Sequence, residues 1–296
     1  MIPTSVARAN GRERTNLMAK TKEIRRAREH RRPTLAERAD RYDLYQQSVQ
    51  EPSFDVEFFE RVYKQNCSGE PLVLREDFCG TAAISCEWVK SSRLRRAVAI
   101  DLDPAPLEWC RTHNFPRLGR DERDRVDLLQ QDVLDAHDVD ADIISVQNFS
   151  FFYYQSRESL LRYLRTARSN LKPSGVIVMD MVGGTEVQEE DREEITEKDG
   201  FDYVWEQHSF DPITSEQVCY IHFHFPDGSR LKRAFEYRWR LWTIPELREL
   251  LLEAGFRRAD IYWEGTDEDG DGDGEYERVE HASNEPAWIA YVVGVK

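Results

Sequence analysis

The sequence predicts an α/β fold built on a mostly parallel sheet, and three runs of residues lead to that reading. Leu72-Val73-Leu74-Arg75-Glu76-Asp77 is an apolar strand ending in acids, and Phe78-Cys79-Gly80-Thr81-Ala82 is a tight glycine turn that opens a helix. Ala97-Val98-Ala99-Ile100 is a second apolar strand that ends at Asp101, 21 residues beyond Gly80, where an α/β fold presents a carboxylate to a ribose diol. Val126 to Asp132 is a third strand with an acid at its tip. Strands that alternate with helical segments pair in parallel beneath their crossover helices, so the three acids are expected along one crevice at the carboxyl ends.

The remaining elements follow in order. Thr34-Leu35-Ala36-Glu37 has the spacing of a capping box, which predicts a helix from about Leu35 to Val49 with Ala39, Tyr42, Tyr45 and Val49 on one side. A second, aromatic-rich helix is expected over Phe54 to Lys64. Ala141 to Val146 is the fourth strand and leads into Gln147-Asn148-Phe149-Ser150. Leu160, Leu161, Leu164, Ala167 and Leu171 have helical spacing over Ser156 to Leu171, and Lys172-Pro173-Ser174-Gly175 stops that helix. Gly175 to Asp180 is the fifth strand.

The pattern then changes. Thr185 to Gly200 is an acidic stretch, followed by alternation with period two. Cys219 to Phe225, the turn Pro226-Asp227-Gly228-Ser229, and the return from Leu231 to Leu241 form a hairpin signal, hence a small antiparallel layer before the last helix. Thr243-Ile244-Pro245-Glu246-Leu247 starts that helix and Gly255 ends it. Ile261-Tyr262-Trp263 and Ala287 to Val293 are the last two strands. The chain therefore divides into a basic arm over 1–33, a helical cap over 34–70, and a main domain over 71–296 with an insertion at about 185–242.

From Leu72 to Phe256 this order resembles the class I S-adenosylmethionine-dependent methyltransferases, whose first strand also ends in an acid and a glycine-rich turn. The resemblance implies a Rossmann-like, seven-stranded, mostly parallel sheet with its last strand antiparallel. It also implies S-adenosyl-L-methionine as cofactor. Glu76 would lie near the methionine amine, Asp101 would hold the ribose hydroxyls, Leu102 would flank the adenine, and Asp132 with the backbone of Val133 would read the adenine edge. Phe78 and Ala82 stand where two of the usual glycines would be, so only Gly80 is expected to carry the turn. A nicotinamide enzyme fits less well, because no Gly-x-Gly-x-x-Gly triplet follows the first strand to seat a pyrophosphate on a helix N-terminus.

The family addresses its substrate from the end of the fourth strand. Members that methylate exocyclic base amines or glutamine carry an Asn/Asp-Pro-Pro-aromatic tetrad there, but no proline follows Asn148. Gln147, grouped with the cofactor site, and Asn148 are polar groups that could orient a small acceptor, and Asn148 could equally cap a helix. Tyr42 and Tyr45 are lid candidates or ordinary packing residues. Arg238 and Arg240 share one strand face, where two guanidiniums could clamp a carboxylate or simply face water. His222 and His224 share a face with Tyr220, as a base, a metal pair or exposed side chains, and no third ligand is apparent. Methyl transfer needs no covalent intermediate with the protein, so no catalytic residue is named.

Composition bounds the function. The chain has 296 residues, a net charge of −15 and 11% aromatic residues. Arg8 to Arg41 holds 12 Lys plus Arg against 5 Asp plus Glu, a net of +7 that leaves −22 for the rest. An acidic body disfavours general binding to nucleic-acid phosphates, so a small polar acceptor is favoured, with RNA or protein reached through the arm as the alternative. A non-catalytic cofactor-binding protein and an aminopropyl-transferring enzyme using Asp180 are further readings. Met18 offers a second possible start. Five cysteines without a Cys-x-x-Cys pair, no apolar leader and no membrane-length apolar run suggest a cytoplasmic protein, of unassigned oligomeric state. Asp269 to Glu280 satisfies a calcium-loop formula, but a strand precedes it where a helix is needed, so an acidic hairpin tip is expected and no metal is assigned.

Overall fold

The computed structural model describes residues 31–135, 139–266 and 272–296. The N-terminal cap contains α1 (Leu35–Arg38), α2 (Arg41–Val49) and α3 (Pro52–Asn66). The capping box forms at Thr34 and Glu37, but the helix expected to run unbroken to Val49 is two helices. Ala39 and Asp40 are extended, and the Asp40 carboxylate accepts hydrogen bonds from the Tyr42 and Asp43 N–H groups to start α2 afresh. Its second oxygen accepts from Trp109 Nε1 at 2.7 Å, which ties the break to the main domain. An Asp side chain that can satisfy orphan helix donors competes with helix continuation, and here it wins.

The main sheet comprises β1 (Val73–Asp77), β2 (Arg96–Asp101), β3 (Val126–Gln130), β4 (Ala141–Val146), β5 (Leu171–Gly183), β10 (Arg258–Thr266), β11 (Gly272–Val279) and β12 (Trp288–Val295). Their order is β11-β10-β12-β5-β4-β1-β2-β3. Strands β1 to β5 pair in parallel and β12 runs antiparallel between β5 and β10. The seven expected strands are present, and β11 adds an eighth at the edge by pairing antiparallel with β10. β11 occupies most of the calcium-like stretch, whose Asp269, Gly270 and Asp271 lie outside the described residues. Among the described residues no cluster of His, Cys, Asp and Glu is arranged to hold a metal.

Helices cover both faces. On one face Phe58, Phe59 and Val62 of α3 pack with Trp88 and Val89 of α4 (Ala83–Ser91) and are almost fully buried. On the other, Leu160 and Leu164 of α7 (Arg157–Ser169) pack with Leu247 and Leu251 of α8 (Ile244–Glu253). Each such side chain contributes about 1.5–3 kcal/mol by leaving water. The shorter helices α5 (Pro104–Trp109) and α6 (Arg120–Arg123) precede β3. α7 stops at Ser169, and the Leu171–Gly175 segment belongs to β5, with a register shift opposite Ala141 to Ile143.

The chain builds β1, β2 and β3 outward, then returns to place β4 on the other side of β1. The crevice at the carboxyl ends opens at that reversal, which is where α/β sheets bind ligands. Above it lies a second sheet of β6 (Arg192–Lys198), β7 (Phe201–Asp211), β8 (Glu216–His224) and β9 (Arg230–Arg240), in sequential antiparallel order. The second half of the acidic stretch read between Thr185 and Gly200 is strand β6, because Ile195 and the charges around it pair against β7 at a solvated edge. Leu44 of α2 buries against Phe201, Ile221 and Phe223, which fixes the cap to this second sheet.

Candidate active site

The turn after β1 is tighter than one glycine can account for. Phe78, Gly80 and Ala82 all have left-handed backbones, with φ of 58°, 51° and 53°. The expectation that only Gly80 carries the turn is therefore corrected: two residues with a Cβ share it, at a cost of roughly 1–2 kcal/mol each. Packing holds them there. Ala82 is fully buried, and the Phe78 ring lies 5.7 Å from Tyr163 and 6.2 Å from Tyr154.

Two carboxylates fix this corner. Asp101 Oδ2 accepts from Gly80 N at 2.7 Å and Oδ1 from Asp103 N at 2.8 Å. Burial raises the Asp101 pKa, and those backbone donors oppose the rise. Glu76 is 4% exposed, and its Oε2 accepts from the Ser85 N–H and hydroxyl at 2.9 and 2.5 Å. Burial pushes its pKa up to about 7, with Asp101 and Asp77 adding like-charge repulsion. Beside it a buried network pairs Arg75 with Asp77 at 2.6 Å, and Tyr163 donates to the other Asp77 oxygen at 2.8 Å.

A second strained corner follows β4. Asn148 and Phe149 are consecutive left-handed residues, both with φ of 56°. Asp180, in the last third of β5, holds them, since its two oxygens accept from the Asn148 and Phe149 N–H groups at 2.8 Å each. Burial raises the Asp180 pKa to about 7 despite these bonds. Gln147 donates from Nε2 to the Val178 carbonyl, while its Oε1 is buried with no hydrogen-bond partner. Strain maintained by surrounding bonds is characteristic of ligand-binding corners.

Two cavities meet over these corners. The first, about 780 Å³, lies over β1 and β2 and is lined by Glu76, Phe78, Gly80, Asp101, Leu102 and Gln147, with Tyr42 from the cap. The second, about 450 Å³, lies between the cap, the ends of β4 and β5 and the underside of the small sheet. Tyr45, Gln50, Gln147, Asn148 and Tyr237 line both. Most of the candidate residues thus converge.

Four candidates do not. β3 ends at Gln130, so Asp132 lies in the loop beyond, where Oδ1 accepts from Leu134 N; the Val133 carbonyl accepts from Arg75. Neither residue lines the first cavity. Arg238 and Arg240 point away from the second. Arg238 pairs with Glu236 at 62% side-chain exposure, and Arg240 stacks 3.8 Å over Trp242 and bonds Glu246. Strand alternation explains this, because Tyr237 and Trp239, one residue out of phase, take the inner face. His222 pairs with Glu206 and accepts from Arg233 N, which leaves neither ring nitrogen free, and neither it nor His224 lines either of these two cavities.

Other lining residues gave no sequence signal. Gln50 and Asp55 sit at an ordinary helix junction, where Asp55 reads as a favourable first-turn acid. Alternation along β9 puts Tyr237 and Trp239 on one face, but it does not tell which face meets the main domain.

No family model and no curated protein matches the chain. Similar solved structures include an S-adenosylmethionine-dependent methyltransferase from Clostridium acetobutylicum ATCC 824, at TM-score 0.63 and 17% identity, covering 86% of this chain and 96% of that one. The sugar N-methyltransferase KedS8 from Streptoalloteichus sp ATCC 53650 aligns at TM-score 0.58 and 19% identity over 86% and 92% of the two chains. CalS10, an amino pentose methyltransferase from Micromonospora echinaspora solved with bound S-adenosylmethionine, aligns at 0.60 and 14% over 90% and 100%. With its reversal of strand order, its antiparallel β12 and these likenesses, the chain has the class I S-adenosylmethionine-dependent methyltransferase fold.

Proposed function

We propose that the protein is an S-adenosyl-L-methionine-dependent methyltransferase acting on a small polar acceptor. The observation that carries this reading is the pair of joined cavities, one lined by strand-end carboxylates and the other closed over by the small sheet. A phosphate-free, cationic cofactor suits the first. Glu76 is a buried acid raised to about 7 chiefly by burial, and an ammonium group placed there would favour its ionised form. Asp101 sits at the end of β2, where a carboxylate can accept from a vicinal diol while retaining Gly80 and Asp103 as donors. Leu102, 67% exposed, offers an apolar surface for the base.

When bound, the cofactor supplies an electrophilic methyl group on a sulfonium. The chain would contribute orientation and exclusion of water, the main requirements of an in-line displacement. Gln147 and Asn148, at the junction of the cavities, are placed to position the acceptor against the first cavity, and Tyr45 and Tyr237 to wall it off. Similar structures are described as acting on sugars and on a glycopeptide, which supports a small acceptor. The RNA or protein alternative rests on the arm, of which residues 1–30 lie outside the described residues. No helix among the described residues is long and apolar enough to cross a membrane.

Transfer of label from methyl-labelled S-adenosylmethionine to a fractionated metabolite pool tests the reading, with S-adenosylhomocysteine as inhibitor. Label appearing in a small molecule supports it. Binding without transfer after a broad screen would favour a non-catalytic protein, and transfer only from the decarboxylated donor would favour aminopropyl transfer.

A further inference from the structure

We propose that the second cavity receives a protonated amine, with Asp55 as the group that takes its proton, so that the acceptor atom is nitrogen. The inference rests on the methyltransferase reading for the use of that nitrogen, but the binding preference stands on the chamber itself. Four carboxylates line it: Glu51 and Asp55 from the cap, Asp180 from β5 and Glu194 from β6. Among its described lining residues there is no Lys, Arg or His. The walls between the acids are rings, including Phe54, Tyr203, Trp205, Trp239 and Tyr291. Glu51 and Glu194 lie at the exposed rim, where Glu194 pairs with Arg192 at 2.7 Å, so the inner acids are Asp55 and Asp180. Aromatic faces beside these two carboxylates attract a cation and disfavour an anion or a second acid.

Two further observations point to a guest. Gln147 Oε1 is buried and without a hydrogen-bond partner, in a residue only 8% exposed that lines the chamber. Trp239 Nε1 is buried and unpartnered in a residue 3% exposed on the same wall. Native interiors seldom leave such atoms unpaired, and a polar guest would pair either one once its side chain turns into the chamber. Asp180 is already committed, since both its oxygens bond the Asn148 and Phe149 N–H groups. Asp55 is different, because no hydrogen bond or ion pair engages its carboxylate among the described residues.

Asp55 is raised by burial to about 8, with Asp180, Glu76 and Glu51 adding repulsion in that order. The other titratable groups lining the chamber are Glu194, Tyr45, Tyr203, Tyr237, Tyr276 and Tyr291, none of them cationic. A carboxylate of that basicity is suited to accept one N–H proton from an ammonium, which frees the nitrogen lone pair for the incoming methyl group. The N–C bond would form as the S–CH3 bond of the donor breaks to leave S-adenosylhomocysteine; the proton stays on Asp55 and returns to solvent after the product leaves, and the positive charge passes from sulfur to the methylated nitrogen.

The test is calorimetry with benzylamine, glucosamine and putrescine against benzyl alcohol, glucose and benzoate, on wild type and Asp55→Asn, with and without S-adenosylhomocysteine. At least one amine should bind about tenfold more tightly than its uncharged counterpart, benzoate should not bind, and Asp55→Asn should remove most of that preference. With benzylamine or putrescine, which stay charged, the wild type should bind more tightly from about pH 7 to 9 as Asp55 ionises, and the variant should lose most of that slope, Asp180 accounting for the change below about pH 7. Unchanged S-adenosylhomocysteine affinity in the variant shows that it is folded. Binding of none of the amines, equal binding of amine and alcohol, or an unaffected Asp55→Asn would overturn the inference. Failure of S-adenosylhomocysteine alone would sink the methyltransferase reading while leaving the chamber's preference for amines measurable.

Discussion

Glu76→Gln should make the protein without ligand more stable and its cofactor binding weaker. The folded-state pKa of Glu76 is raised from 4.5 to about 7 by burial, which corresponds to about 3 kcal/mol against the ionised form. The sign follows from proton binding: the folded state holds the proton more tightly than the unfolded chain. This contribution to stability is therefore fully present below pH 4.5 and is lost as pH rises through about 7. Glutamine keeps an oxygen for the Ser85 N–H and hydroxyl and carries no charge. At pH 8.5 the variant should be more stable by up to about 3 kcal/mol, near 5 °C in Tm for a chain of this size. The gap should narrow by about 2 kcal/mol at pH 5.5. Thermal unfolding across that range reads the gap, and titration with S-adenosylhomocysteine should show at least about a tenfold loss of affinity. A variant less stable than wild type at pH 8.5 would show that Ser85 already satisfies the carboxylate, and the reasoning about a missing ammonium would fail.

Three further substitutions probe other parts of the account. Asp180→Asn presents an amide NH2 to one of the two backbone N–H groups it now holds, which should cost about 1–3 kcal/mol and depress acceptor turnover while leaving S-adenosylhomocysteine affinity within about twofold; an intact denaturation midpoint would mean that the left-handed pair needs no such clamp. Phe78→Gly relieves about 1 kcal/mol of backbone strain but removes ring contacts to Tyr163 and Tyr154, for a net loss near 2 kcal/mol by urea unfolding. A stabilised variant would show that the turn, not the packing, dominates there. Arg238→Ala should leave acceptor KM unchanged within about twofold, because its ion pair with Glu236 is exposed and outside both cavities; a large rise in KM would return it to the site.

Most of the sheet was legible because β1, β2, β4 and β12 are apolar runs with sharp polar ends, and burial on both faces requires such runs. β11 was not, since Gly272 to Val279 is mostly exposed and takes its strand geometry from pairing with β10. The acids at the ends of β1 and β2 could be read because position in the strand fixes where they point. Asp132 was expected at a strand tip but lies two residues beyond it, because the ladder to β2 stops at Gln130 and a loop residue's direction is not fixed by the strand. The second chamber was the least legible part. It draws Asp55 from the cap, Asp180 from β5 and Trp205 and Tyr237 from the small sheet, and only tertiary packing brings those segments together. Of the two readings open for Arg238 and Arg240, a carboxylate clamp or a solvated pair, the hairpin pattern could not decide, because it gives alternation but not which face meets the main domain.

The central claim is that the crevice over β1 and β2 binds S-adenosylmethionine through Asp101. Calorimetric titration of S-adenosylmethionine and S-adenosylhomocysteine, with NADH as control, on wild type and Asp101→Ala tests it most directly. Micromolar binding of the first two, none of NADH, and loss of binding in a variant that still unfolds cooperatively are expected. Absence of binding, or binding indifferent to Asp101, would contradict it.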